Sequence, residues 1–188
     1  MLNSVHYMKY IFGLAAPMTE TTESERVCLR KHASGKRRLA EVGCFHGVNT
    51  KVFREVMRPD GVIIAIDPYF RCLFGIRGFG WARRIAHKEV GSVGNGSVVW
   101  VEDLGERAPS RSDVKALLPV DFLFIDGNHS YEYVKDDFNN WSKYCKKGAY
   151  IIFHDYSRHW PGVVKFIDEC QNIDKIKCVK ALYVARLK

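Results

Sequence analysis

Arg38-Leu39-Ala40-Glu41-Val42-Gly43-Cys44-Phe45-His46-Gly47 is an apolar run leading into a turn bounded by two glycines. Directly after it, Val48, Val52, Phe53, Val56 and Met57 recur at helical spacing until Pro59-Asp60-Gly61. An apolar run that passes through glycines into a periodic segment is a strand–turn–helix unit. Val62–Ile66 then forms an unbroken apolar run ending at Asp67. Phe122–Ile125 ends in the same way at Asp126, and Tyr150–Phe153 ends at His154 and Asp155. Strands apolar on both faces belong to a parallel sheet covered by helices on each side.

The rest of the chain alternates accordingly. Thr21–His32 reads as a helix opened by a capping box, Thr22 with Glu25. Tyr131, Val134, Phe138, Trp141 and Tyr144 mark another helix, closed by Lys147-Gly148. Ser97–Val101 is a further strand, leading to Glu102 and Asp103. Val163–Cys170 is helical, and Ile176–Val179 with Ala181–Leu187 forms a hairpin at the sheet edge. The pattern is that of a Rossmann-like three-layer α/β/α sandwich. Pro68–Gly80, rich in glycine and aromatics (Tyr69, Phe70, Phe74, Phe79), is the irregular piece and a candidate substrate-facing loop.

Composition bounds the rest. At 188 residues the chain suits one domain, drawn here at 21–188 behind an extension at 1–20. With 47% hydrophobic residues it can bury a core, which excludes general disorder. No apolar run reaches the roughly 20 residues that span a bilayer, and Tyr10–Ala16 is too short for a secretory signal. The six cysteines form no C-x-x-C pair and read as thiols of a reducing, cytoplasmic compartment. Lys and Arg number 29 against 21 Asp and Glu, a net charge of +8 compatible with nucleic acid, an anionic small molecule or nothing beyond a charged surface.

In open α/β sheets ligands bind beyond the carboxyl ends of the strands, where this chain places its glycine turn and Asp67. A carboxylate there, twenty residues after Gly47, can accept both ribose hydroxyls. The two together point to a nucleoside, although an ordinary tight strand–helix turn would also use the glycines. Phe45 stands where dinucleotide folds need a second glycine to admit a pyrophosphate, which disfavours a nicotinamide oxidoreductase.

The E-x-G-x-x-x-G form, Glu41 to Gly47, resembles the first motif of class I S-adenosylmethionine-dependent methyltransferases. Ile125-Asp126-Gly127-Asn128-His129-Ser130-Tyr131-Glu132 resembles the I-D-G-x-H-S-Y-E signature of small members related to the macrocin and catechol O-methyltransferases. Lys147-Gly148-Ala149, His154-Asp155-Tyr156 and Gly162-Val163 extend the likeness, which covers nearly everything from Thr21 to the end. The resemblance implies a mostly parallel seven-stranded sheet with an antiparallel last strand. It also implies S-adenosylmethionine as cofactor, held by Glu41, Gly43, Cys44, Phe45, His46, Gly47, Asp67, Asp126 and one of Glu102 and Asp103 beside the adenine. Trp100 is open to stacking on adenine or to core packing, and His46 is expected at the surface near the ligand.

Related metal-dependent members hold a divalent cation with acids at the ends of the fourth and fifth strands, which implies Asp126, His154 and Asp155 here. A histidine ligand moves preference from magnesium towards softer ions, or His154 hydrogen-bonds neighbouring groups instead. Asn128 stands where some members carry a second acid and cannot take a proton at neutral pH. That leaves His129, beside Asp126 at the catalytic end, as candidate base or as a cap of the helix that follows.

The expectation is O-methylation of a small polar acceptor, sugar-like or phenolic. Arg71, Arg77, Arg83 and Arg84, following Asp67, suggest that it is anionic. The alternatives are an RNA-binding protein or RNA methyltransferase on the same fold, motivated by the charge, and a non-catalytic cofactor-binding member, motivated by Asn128 and His154. Only Met1–Thr21 and Pro68–Gly80 remain to cover the acceptor, unless a second subunit of a homo-oligomer does so.

Overall fold

The structure is a computed structural model and describes residues 4–69 and 80–188. Helix α1 (Ser4–Ile11) and helix α2 (Glu23–Ala33) precede strand β1 (Arg38–Val42). Helix α3 (Val48–Val56), strand β2 (Val62–Ile66), helix α4 (Trp81–Gly91) and strand β3 (Ser97–Val101) follow. A short 3₁₀ turn (Ala108–Ser110) and helix α5 (Ser112–Lys115) lead to strand β4 (Val120–Ile125), helix α6 (Tyr131–Ser142) and strand β5 (Cys145–Phe153). Helix α7 (Pro161–Glu169) and the hairpin β6 (Ile173–Val179) and β7 (Leu182–Leu187) complete the chain.

The seven strands form one sheet in the order β3-β2-β1-β4-β5-β7-β6. β1 to β5 pair in parallel, and β7 inserts antiparallel between β5 and β6. Strand alternation sends neighbouring apolar residues to opposite faces. Ala40, Val42, Leu123 and Ile125 pack under α6 and α7, whereas Leu39, Phe122 and Phe124 pack under α2 and α3. Both faces are buried, which is why these strands read as continuous apolar runs.

The capping box is present: the Glu25 carboxylate accepts from the Thr22 amide at 2.7 Å. Its other oxygen accepts from the amide of Ala181 at 2.8 Å, tying α2 to the β6–β7 hairpin. Lys147-Gly148 does not close a helix as expected. α6 stops at Ser142, and Gly148, at φ +76°, lies inside β5. The register of β5 against β4 shifts between Val120 and Phe122, so the strand begins earlier than its apolar half suggests. Helices α1 and α4 carried too few apolar positions to be read. α1 packs on α4, where Tyr10 donates its hydroxyl to Glu89 at 2.7 Å and Tyr7 stacks on Trp81. Among the described residues five cysteines are free, and no helix is long and apolar enough to cross a membrane.

Candidate functional site

Beyond the carboxyl ends of the parallel strands lies a cavity of about 970 Å³. Its size suits a nucleoside-bearing ligand together with a small second molecule. The glycine turn forms one wall, and Gly43 sits there at φ +87°. A β-carbon on it would lie 2.0 Å from the carbonyl oxygen of Asp126, so the turn and the β4 tip meet only because the side chain is missing. The amides of Gly43 and Cys44 donate to the carbonyl of Ile66 at 2.8 and 3.3 Å, joining the turn to β2.

Asp67 is bound into the same junction. Its Oδ2 accepts from the amide of Phe45 and its Oδ1 from the amide of Tyr69, both at 2.8 Å. Burial raises its pKa, and the two amides act in the opposite direction. Four non-glycine residues among those described have positive φ, and three of them, Phe45, Tyr69 and Asp155, belong to this end of the sheet. Such conformations cost on the order of 1–3 kcal/mol each and persist where packing over-determines them.

The second motif supplies the opposite wall. Asp126, Gly127, Asn128 and His129 all line the cavity. His129 lies against Trp160 at a ring distance of 4.1 Å and places Nε2 2.7 Å from Oδ2 of Asp155. That carboxylate raises the imidazole pKa, with burial opposing it. Nδ1 of His154 lies 3.0 Å from Oδ1 of Asp126 and 3.3 Å from Oδ2 of Asp155. Burial disfavours the charge on His154, but both carboxylates favour it and raise the imidazole to about 10. Asp155 is held well below the usual carboxylate range, its own burial being outweighed by His129 and His154.

The donor atoms of Asp126, His154 and Asp155 lie within 4.8 Å of one another. Despite these short approaches, Nδ1 of His154 and Oδ2 of Asp155 complete no hydrogen bond. Three ligand atoms that close to one another fit a shared divalent cation, which would take the place of the proton on His154.

Several expected residues lie elsewhere. Glu41 is fully buried, and alternation along β1 turns it with Leu39 towards α3, where Thr50 donates to it; it does not line the cavity. Burial pushes its carboxyl well above the usual range. His46 does line the cavity, as expected, but is not a surface residue: it is 1% exposed, accepts from the amide of Met18 at 2.9 Å, and is lowered to about 4 by burial. Glu102 pairs with Arg83 at 2.9 Å, Asp103 faces Arg111 at 3.8 Å, and neither lines the cavity. Trp100 stacks on His87. Arg84 lies over the Trp81 ring, while Arg71, Arg77, Phe70, Phe74 and Phe79 fall outside the described residues.

The structure adds residues the sequence reading missed. Leu104, Gly105, Glu106, Tyr133 and Asp137 line the cavity, and Met18–Glu20, part of the stretch expected to cover the acceptor, lines it as well. Asp137 had a legible signal, an acid on the helical stripe defined by Val134, Phe138 and Trp141. Burial, then Glu106 and Asp136, raise its carboxyl to about 7. Its folded pKa therefore exceeds its unfolded one, so stability falls as pH rises from about 4 to about 7 and the penalty is complete above that. Three units correspond to on the order of 4 kcal/mol at most. Asp137→Asn is expected to unfold at a higher temperature than wild type at pH 8 and at a similar one near pH 4.5. An equal difference at both pH values would contradict this.

This strand order, with a glycine turn after β1 and an acid at the tip of β2, is the fold of a class I methyltransferase. Residues 40–156 match the family described as a methyltransferase domain. The chain belongs to that family. A stretch of 58 residues is 45% identical to an uncharacterized protein of Acanthamoeba polyphaga mimivirus, covering 28% of this chain and 26% of that one. The match thus spans about a quarter of the length of that curated relative. Among solved structures, the O-methyltransferase TomG of tomaymycin synthesis from Streptomyces achromogenes, in complex with S-adenosylmethionine, superposes with a TM-score of 0.66 at 15% identity, covering 97% of this chain and 86% of that one. A Bacillus cereus O-methyltransferase in complex with S-adenosylhomocysteine gives 0.66 and 15%, covering 96% and 87%. An rRNA methylase from Streptococcus thermophilus gives 0.61 and 8%, covering 91% and 98%. At these identities the likeness is one of fold.

Proposed function

We propose that this chain transfers the methyl group of S-adenosylmethionine to a hydroxyl of a small polar acceptor. The observation that carries this reading is a single cavity joining Asp67 and the glycine turn at one end to Asp126 and His129 at the other. A ribose on Asp67 directs the sulfonium along the strand tips towards β4, where the acceptor meets it. Displacement at the methyl carbon is in line, so the protein's task is alignment and deprotonation. His129, oriented by Asp155, takes the acceptor proton, and Trp160 holds the ring in place.

A divalent cation on Asp126, His154 and Asp155 would lower the pKa of the acceptor hydroxyl. Among the described residues the cavity lining includes Glu20, Asp67, Glu106, Asp126 and Asp137 but neither lysine nor arginine. Such a field suits a cationic sulfonium and repels an anionic acceptor, so the anionic acceptor suggested by the arginines is replaced by a neutral one.

Calorimetry with S-adenosylmethionine and NAD is the direct test. Binding of the first and not the second is expected, and the reverse would overturn the reading. Asp67→Ala, which removes two charge-assisted hydrogen bonds to the ribose, is expected to weaken cofactor binding by roughly 10²–10³-fold. For the cation, treatment with a chelator is expected to lower turnover by at least tenfold, with recovery on adding Mg²⁺, Mn²⁺ or Zn²⁺. Full turnover in the chelator would remove the metal from the proposal.

A further inference from the structure

The geometry points to Asp137 as the residue that reads the cofactor's base, its carboxyl accepting a hydrogen bond from the exocyclic amine of adenine. This rests on the methyltransferase reading and adds to it a specificity residue on α6, away from both sequence motifs.

Asp137 is 4% exposed and is one of the residues that line the cavity. Oδ1 has no hydrogen-bond partner. A buried carboxylate serving only the fold would cap a helix or hold a loop through such a bond, because leaving one unmade is destabilising. The surroundings instead make room for this one. A β-carbon on Gly105 would lie 2.2 Å from Oδ1, and one on Gly127 would lie 3.3 Å from Oδ2. The carboxyl therefore packs between two loops that carry no side chain at the point of contact. One turn further along α6, Trp141 donates its indole N–H to the carbonyl of Gly105 at 2.9 Å and fixes the nearer loop.

The strand order says which part of the ligand arrives there. Asp67 stands at β2, and the transfer groups Asp126 and His129 stand at and after β4, on the far side of β1. A nucleoside with its ribose at Asp67 and its sulfur towards β4 places its base on the β3 side, over Leu104–Glu106. Val42, Ile66 and Leu104 line the space there and suit a purine plane. Adenine presents a donor at its amine beside a ring-nitrogen acceptor. A carboxyl accepts from the first and, when protonated, donates to the second. Burial holds the Asp137 carboxyl near 7, so the protonated form is accessible around neutrality. Asparagine offers the same donor and acceptor pair, and alanine offers neither.

The test pairs a residue with a ligand group. Affinities of the full chain for S-adenosylhomocysteine and for its analogue lacking the 6-amino group are measured by calorimetry, in wild type, Asp137→Ala and Asp137→Asn. Wild type is expected to prefer the adenine ligand by about ten- to a hundredfold. Asp137→Ala is expected to bind both within about threefold of each other, and Asp137→Asn to recover most of the preference. Circular dichroism checks that each variant is folded. If Asp137→Ala keeps the wild-type preference, or wild type has none, the assignment to Asp137 is overturned while the methyltransferase reading stands. If wild type binds neither ligand, the reading itself fails and takes the assignment with it.

Discussion

His129→Ala is expected to bind S-adenosylhomocysteine within about threefold of wild type while losing roughly 10²–10⁴-fold in kcat. The split follows from position. In the proposed arrangement His129, against Trp160 and 2.7 Å from Asp155, serves the acceptor, whereas the ribose would be held beyond β1 by Asp67 and the glycine turn. On that proposal, removing the imidazole would leave the nucleoside contacts untouched and take away the group that accepts the acceptor's proton. Single-turnover rates and calorimetry on the same preparation check both halves. A variant that keeps more than about a third of wild-type kcat would reduce His129 to a packing partner of Trp160. Parallel losses in binding and turnover would instead indicate that it holds the wall of the cavity.

Gly43→Ala is expected to be the most destabilising single change in the site. The new β-carbon would meet main-chain atoms, the carbonyl oxygen of Asp126 at 2.0 Å and its carbon at 2.6 Å, at a backbone φ of +87°. Neither atom can swing aside as a flexible side chain would, so β1 and β4 must part at their tips. A loss of at least about 3 kcal/mol follows, lowering the melting temperature by roughly 6–12 °C in a chain of this size. Gly148→Ala provides the control. That residue also has positive φ, +76°, but a β-carbon on it meets nothing within 4 Å. Only backbone strain remains, on the order of 1 kcal/mol. Similar melting temperatures for the two variants would show that strain, not the close approach, sets the cost.

The parts of the fold that could be read early are those where a residue's environment repeats along the chain. β1, β2 and β4 are buried on both faces, so each appears as an uninterrupted apolar run, and α3 and α6 declare themselves by period. α1 and α4 were missed because each buries only one narrow stripe against another helix. Lys147-Gly148 was misread because a glycine with positive φ inside an irregular strand looks, in sequence, like one ending a helix. Of the cavity lining, Asp67, Asp126 and His129 were legible because they stand directly at strand tips or just beyond them. Glu41 was misplaced because a one-residue step along a strand reverses the face a side chain joins.

The sequence by itself determined the seven strands, helices α2, α3, α6 and α7, the glycine turn and the acids at the strand ends, because these depend on local periodicity and on backbone freedom at single residues. Tertiary structure alone decided which acids share a space. It turned Glu41 and Glu102 away, brought His154 between Asp126 and Asp155, and carried Asp137 from the second turn of α6 to the loop after β3. Those meetings join residues distant in sequence, and the crossing of elements that creates them leaves no periodic trace in the chain.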